Sequence, residues 1–386
     1  MRIGDFRSSA EGEIVQIPSF LGTESAFVPR PLPPAWRFGE QLWPLLNEAG
    51  NRLHRLDGIG RTLPNPALLL RPLRDREAIL SSRMEGTFAT PRELLLFEQD
   101  PADPSEDNDA RNQHREVANY ARALDAATRS SHPLGLHLVR QMHAELMHGV
   151  RGEDKRPGEI RTGQVGIGRL GKKPRFVPPP PEHLAGCLED LDTYLSRDEW
   201  TYERLVECFV VHYQFEAIHP FSDGNGRVGR LLLTLMVQRL HGMPNPWLHM
   251  SEFFEQDHEH YCNLLYRIST RGEWENWIAY CLEGVAWLAE RTADRCNRLL
   301  NLRGDFQSRL QQLRNNARLS QVVENLFQHP LLSVVELQRT LGVTYPTAKS
   351  DLEKLVKIDV LAEFDDHRPK TFYAPEIFAI AYEGLE

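Results

Sequence analysis

The chemistry of this chain is concentrated in His219-Pro220-Phe221-Ser222-Asp223-Gly224-Asn225-Gly226-Arg227-Val228-Gly229-Arg230. An imidazole such as His219 titrates near neutral pH and can accept a proton from a hydroxyl. Asp223 is a hard oxygen ligand of the kind that suits Mg2+. Gly224 and Gly226 clear the loop of side chains, so that backbone N–H groups can turn inward. A helix starting there adds its dipole and its unpaired N–H groups. Arg227 and Arg230, three apart, point from one face of the first helical turn and would fit two phosphates of a polyphosphate. A base, a metal ligand, a phosphate cradle and two arginines are the parts of a phosphoryl or nucleotidyl transfer site. A plain helix–loop–helix turn, with arginines in solvent, accounts for Gly-x-Gly but not for the whole set.

The flanking residues say how such a loop is held. Upstream, Leu205, Phe209, Val210, Tyr213 and Ile218 recur at near-helical spacing. Downstream, Leu231 to Leu240 reads as a dense apolar helix. The spacing therefore predicts a polar, glycine-rich loop between two buried helices. A further helix is expected over Arg74 to Glu85, stopped by Gly86. Its last turn places Glu85 against the negative end of the helix dipole, which is locally unfavourable unless a cation lies nearby.

The stretch from His219 to Arg230 resembles the signature of the Fic (Fic/Doc) family of protein adenylyltransferases, His-x-Phe-x-(Asp/Glu)-Gly-Asn-Gly-Arg-x-x-Arg, at every specified position. The resemblance implies that His219 deprotonates a target hydroxyl and that Asp223 holds Mg2+. It implies that Gly224, Asn225, Gly226, Arg227, Val228, Gly229 and Arg230 bind the nucleotide, with the two arginines on the side of the leaving pyrophosphate. Tyr261 matches a family position lining the adenosine pocket. Gly224 favours AMP transfer over the phosphate transfer of Doc-type relatives. Ser81-Ser82-Arg83-Met84-Glu85-Gly86 resembles the family's inhibitory motif, (Ser/Thr)-x-x-x-Glu-(Gly/Asn). By that resemblance Ser81 and Glu85 are inhibitory residues, and Glu85 pairs with Arg230 where a γ-phosphate would otherwise lie. Gln164, Val165, Gly166, Ile167 and Gly168 fall where the family has a flap that docks the target peptide by strand addition.

The rest of the chain frames these parts. The 386 residues suffice for two or three domains, with 41% apolar and 26% charged residues and a net charge of -9. That balance gives no global nucleic-acid signature. Cys187, Cys208, Cys262, Cys281 and Cys296 show neither metal spacing nor a disulfide framework, so a reducing, cytoplasmic setting is expected. Met1 to Ser19 does not read as a signal peptide, and no stretch is apolar enough to span a bilayer. Residues 1 to about 35 read as a proline-rich PPII-like arm. The acidic, proline-broken segment Gln99 to Asp109 reads as a solvated loop. Helices are expected around 111–129, 134–149, 182–196, Ser251–Arg267 and Trp274–Arg291. His143, within one of them, is assigned no catalysis. Arg151 to Pro181 reads as a β-hairpin around a basic glycine turn.

The last residues differ in kind. Gln321–Phe327, Ser333–Thr340 and Tyr345–Lys357 read as helices, and Val360–Phe364 and Thr371–Tyr373 as strands, an order that resembles a winged helix–turn–helix. On its second helix Lys349, Lys354 and Lys357 stand against Asp351, Glu353 and Asp359, so docking or dimerisation competes with DNA binding. The expected fold is mainly α: a Fic-type helical bundle with a β-hairpin flap and a small α+β winged-helix domain. The expected divisions are 1–110, 111–300 and 301–386. The expected function is ATP- and Mg2+-dependent AMP transfer to a Ser, Thr or Tyr hydroxyl of a protein target or of the chain itself, with a homodimer as one assembly. The alternatives are a nucleotide-sensing DNA-binding regulator and an enzyme that removes AMP.

Overall fold

The structure, a computed structural model, describes residues 1–6, 11–63, 65–101, 109–150, 156–168, 173–313, 317–364 and 369–385. Over these residues it is mainly helical, with two small sheets. The N-terminal arm departs from the expected PPII strap. β1 (Gly12–Phe20) and β2 (Thr23–Pro29) pair antiparallel across Leu21 and Gly22, whose φ angles are 47° and 75°. Two residues with positive φ make the turn that matches strand twist. The prolines cluster after β2, so they end the sheet rather than prevent it.

The helical body follows. It comprises α1 (Trp43–Thr62), α2 (Ala67–Met84), α3 (Pro91–Gln99), α4 (Ala110–Arg129), α5 (Leu136–Leu146), α6 (Pro181–Leu195), α7 (Arg204–Ile218), α8 (Asn225–Leu240), α9 (Ser251–Gln256), α10 (His258–Arg271) and α11 (Trp274–Leu310). α2 begins at Ala67 rather than Arg74 and carries Pro72 inside it. Burial of Leu68, Leu69 and Leu73 outweighs the hydrogen bond that Pro72 removes. The helix expected over Ser251–Arg267 is two, α9 and α10. It breaks at Asp257, whose carboxylate accepts from the His260 N–H at 2.9 Å and caps α10. α7 and α8 are buried nearly all round, which marks them as the centre of the core.

The C-terminal module comprises α12 (Ala317–Leu326), β3 (Leu331–Ser333), α13 (Val334–Leu341), α14 (Tyr345–Lys357), β4 (Ala362–Phe364), β5 (Thr371–Tyr373) and α15 (Pro375–Ala381). Its antiparallel sheet runs in the order β3-β5-β4. β3 is short and was not expected from the sequence. α11, 37 residues or about 55 Å long, continues through the expected boundary at 300 and packs against α12 and α15. The module also rests on α2. The Tyr382 hydroxyl donates to Asp75 Oδ2 at 3.2 Å, and Arg76 Nη1 donates to the Glu383 carbonyl at 2.8 Å. Arg71 Nη1 lies 3.0 Å from His329 Nε2.

Most of the acidic loop expected at Gln99–Asp109 lies outside the described residues, as do the tip of the flap at 169–172 and the segment 365–368 between β4 and β5. Within the flap, Ile167 and Phe176 form one antiparallel bridge among the described residues. The neighbouring glycines and prolines limit further pairing. β2 supports this flap from behind: the Phe27 N–H donates to the Val177 carbonyl at 2.8 Å, and the rings of Phe27 and Phe176 are 5.7 Å apart.

Candidate active site

The loop between α7 and α8 is fixed by its own side chains. Asn225 closes it bidentately: Oδ1 accepts from the Phe221 N–H at 2.8 Å and Nδ2 donates to the Phe221 carbonyl at 2.9 Å. Phe221 is wholly buried and its ring stacks on His143, centroids 3.8 Å apart and planes 2° from parallel. His143 Nε2 donates to the Asp223 carbonyl at 3.1 Å, while Nδ1 accepts from the Gly158 N–H at 2.8 Å. Burial holds this imidazole down to about 4, so it is neutral and can do both. His143 thus shapes the loop from below.

His219 caps α7 in the left-handed region, φ 51° and ψ 63°. Such a residue costs about 1–3 kcal/mol and must be held by its surroundings. Arg161 does this: its Nε donates to the His219 carbonyl at 2.8 Å, and its Nη2 to the Pro179 carbonyl at 2.6 Å. Burial, together with the Arg161 charge, pushes the His219 imidazole down to about 4 against the opposing pull of Glu85 and Asp223.

α8 starts at Asn225 with Gly224 as its N-cap at φ 74°, and no side chain caps its first N–H groups. An anion would find those donors and the positive end of the dipole. Arg227 and Arg230 stand beside that end, both buried. Arg227 Nη1 meets Glu116 Oε2 at 3.2 Å, and Glu116 also accepts from the Thr87 hydroxyl at 2.8 Å. Arg230 is gripped from α2. Its Nε donates to Ser81 Oγ at 2.7 Å, and its Nη2 donates to the Ser81 carbonyl at 2.9 Å and to Glu85 Oε1 at 2.8 Å. Partial desolvation favours the neutral acid, though the side chain keeps 36% of its exposure, and Arg230 beside it holds the Glu85 carboxyl below the usual carboxylate range. A Cβ at residue 226 would strike Glu85 Oε1, so this close approach requires Gly226. The cation that the dipole argument asks of Glu85 is therefore Arg230.

Val228 is buried against the core, and Asp223 exposes 40% of its side chain with Oδ1 accepting from the Gly224 N–H at 2.7 Å. One exposed carboxylate beside a phosphate cradle fits Mg2+, which takes one or two protein carboxylates and completes its shell with phosphates and water.

A cavity of about 310 Å³ opens over these groups. Gly226, Arg230, Glu85 and His219 line one end. Ile167, Gly168 and Phe176 of the flap, with Tyr261, Leu265 and Tyr266 of α10, line the rest. Tyr261 is buried and its hydroxyl lies 2.8 Å from His212 Nε2. Gln164 anchors the flap base through Nε2 to the Pro178 carbonyl at 3.0 Å, and Gly166 packs near Phe20 of β1. Val165 lies beside it, half-buried. The structure thus brings His219, Gly226, Arg230, Glu85, Tyr261, Ile167 and Gly168 around one pocket, with Ser81 behind Arg230, whereas Asp223, Gly224, Asn225, Arg227, Val228, Gly229, Gln164, Val165 and Gly166 do not line it. Three residues at this site carried no motif signal: Arg161, Glu116 and Glu216. Their partners lie far away in sequence or form only once α7 and α8 pack.

The chain is similar to known proteins in sequence and in fold. Residues 43–129 match the Fic/DOC family N-terminal and residues 133–237 match the Fic/DOC family. The chain is 31% identical over 134 residues to protein adenylyltransferase fic-1 of Caenorhabditis briggsae, covering 33% of this chain and 25% of that protein. It is 28% identical over 138 residues to protein adenylyltransferase Fic of Aedes aegypti, covering 36% of this chain and 24% of that one. The match thus spans about a quarter of these relatives' length. In fold, the chain is similar to a crystal structure of a Fic family protein from Desulfovibrio desulfuricans G20, with a TM-score of 0.59 at 19% identity over 89% of this chain and 98% of that one.

Proposed function

We propose that this chain, which carries both Fic/DOC family domains, is a protein adenylyltransferase that moves AMP from ATP to a Ser, Thr or Tyr hydroxyl of a target protein. The observation that carries the reading is the meeting, in one cavity, of His219, the uncapped start of α8 and Arg230. His219 accepts the proton as the hydroxyl oxygen attacks the α-phosphorus. The new O–P bond forms, the bond to the bridging oxygen breaks, and pyrophosphate leaves. The α8 N–H groups, Arg227 and Arg230 stabilise the developing charge. Asp223 would hold Mg2+, which supplies further neutralisation of the phosphates when bound. The flap from Gln164 to Gly168 would receive the target backbone.

Glu85 represses this transfer in cis. With its carboxylate on Arg230 Nη2, a γ-phosphate cannot use the same guanidinium edge. ATP then lies with its α-phosphate out of line for attack. The order β3-α13-α14-β4-β5 supports reading the C-terminal module as a winged helix–turn–helix. DNA binding by it has less support, because Lys354, Lys349 and Lys370 pair with Asp351, Glu353 and Glu363 and offer little net positive charge to phosphates.

The test is label from α-labelled ATP appearing on protein. Glu85→Gly is expected to label faster than wild type, and adding His219→Ala to it should lower the rate by about 10²–10⁴-fold. A Glu85→Gly variant no faster than wild type removes the repression. Undiminished labelling without His219 removes the base.

A further inference from the structure

The cavity has an internal order. Along α7 its wall is formed by His219, Glu216 and Tyr213, set three residues apart. At 1.5 Å per residue, Glu216 lies about 4.5 Å and Tyr213 about 9 Å from His219 along the helix axis. The His219 end holds Arg230, Gly226 and Glu85, where phosphates belong. At the other end Tyr213 and Ser269 satisfy each other, hydroxyl to hydroxyl at 3.0 Å, among Leu265 and Tyr266. That end is aromatic, with the Arg175 guanidinium 4.4 Å over the Tyr266 ring, and suits a flat base. Glu216 stands between them, as the sugar of a nucleotide stands between its phosphates and its base.

We propose that Glu216 is a specificity-determining residue that hydrogen-bonds a ribose hydroxyl of the bound nucleotide, so that the pocket selects ribonucleotides over deoxyribonucleotides. The inference rests on the nucleotide-binding reading above.

Three observations support it. First, Glu216 lines the cavity half-buried, with Oε1 shut off from solvent against Gly229, and the carboxyl has no hydrogen-bond partner among the described residues, so Oε2 is the oxygen a ligand can reach. A carboxyl oxygen on a cavity wall without a protein partner is available to a ligand hydroxyl. Second, Arg230 directs its Nε and Nη2 to Ser81 and Glu85 rather than to Glu216. Burial, with Glu85 reinforcing and Arg230 opposing, pushes the Glu216 carboxyl up to about 8. At neutral pH it is mostly the uncharged acid. It therefore does not repel a triphosphate, and it can donate and accept at once, which is what a hydroxyl partner requires. Third, the chain makes room for it. A Cβ at residue 229 would overlap Glu216 Oε1, so the glycine at the second variable position of Arg-x-x-Arg is what admits this carboxyl. Glu216 and Gly229 form one unit, joined across the α7–α8 contact.

The experiment is calorimetric titration of ATP, 2′-deoxyATP and 3′-deoxyATP, with Mg2+, into the full chain and into Glu85→Gly. Each is then repeated with Glu216→Ala and with Glu216→Gln. One hydrogen bond to a hydroxyl should make ATP bind about three- to tenfold more tightly than the deoxy analogue lacking the hydroxyl read. The analogue that weakens identifies whether the 2′ or the 3′ hydroxyl is read. Glu216→Ala should bring that ratio within about twofold of unity, chiefly by weakening ATP. Glu216→Gln keeps the shape and both hydrogen-bonding roles, and should keep the ratio. Equal affinity for all three nucleotides in the parent chain, or a ratio that survives Glu216→Ala while ATP still binds, overturns the assignment and leaves the adenylyltransferase reading intact. Binding of no nucleotide by either parent chain removes the adenylyltransferase reading and this inference with it.

Discussion

His219 is held in a left-handed conformation by Arg161, whose charge also helps keep the imidazole neutral. The pH consequence follows with its sign. An imidazole lowered from 6.5 to about 4 keeps its proton-accepting form at pH 5 and 6. Arg161, Glu85 and Asp223 are the charges acting on it. Removing Glu85, which raises the value, moves it lower still. AMP transfer by Glu85→Gly is therefore expected to stay level as pH falls through 6.5 and to decline only below about 4. A rate from labelled ATP that halves near pH 6.5 would contradict this. At this scale the sequence was informative where chemistry is contiguous. His219, Asp223, the glycines and both arginines sit in one run, so their juxtaposition needs no folding argument. Glu116 meets Arg227 across more than a hundred residues and Arg161 meets His219 across more than fifty, and such pairs exist only once helices pack.

The loop between α7 and α8 is an element in its own right, closed by Asn225 and floored by the Phe221–His143 stack. Asn225→Ala would leave the buried N–H and C=O of Phe221 without partners, at about 1–3 kcal/mol each. Denaturant unfolding should show that loss, and calorimetry should show ATP binding fall with it, because α8 would no longer start in one place. Unchanged stability would show that the loop is held by other contacts. The helices were legible because their apolar stripes run long enough to average out local exceptions. The β1–β2 hairpin was not, because β1 is mostly exposed or half-buried, β2 is buried on both faces so neither strand alternates cleanly, and prolines adjoin them. The split between α9 and α10 depends on a single capping aspartate, which apolar periodicity does not register.

Across the whole molecule, burial sets how stability responds to acid. His143, His212 and His249 are buried and His219 half-buried, and all are lowered: His143, His219 and His249 to about 4 and His212 to about 3. Unfolding lets each take up a proton from about pH 6.5 downward, which the folded chain refuses until far lower. Stability from these groups therefore falls as pH drops through that window, by about 1.4 kcal/mol per pH unit for each. Glu77 and Glu216, raised to about 7 and 8, act in the opposite sense and weaken the fold as pH rises from 4.5. With His241, His258 and His329 also lowered and Glu11, Glu98 and Glu336 also raised, lowered imidazoles still outnumber raised carboxyls among the described residues, so the thermal midpoint should fall between pH 7 and pH 5. A midpoint that rises over that range would show that the carboxyls dominate.

α2 is a rod with both ends engaged. Near one end Arg71, Asp75 and Arg76 hold His329, Tyr382 and the Glu383 carbonyl. At the other, Ser81 and Glu85 hold Arg230. The span from Arg71 to Glu85 is about 21 Å of continuous helix. Thermodynamic linkage makes traffic along such a lever two-way: whatever re-seats the tail must bias the grip on the arginine, and a nucleotide that displaces Glu85 must be felt at the tail. Hydrogen exchange in α12 and α15 is accordingly expected to change when ATP is added to the wild-type chain. Identical exchange with and without nucleotide would mean that the shaft does not transmit.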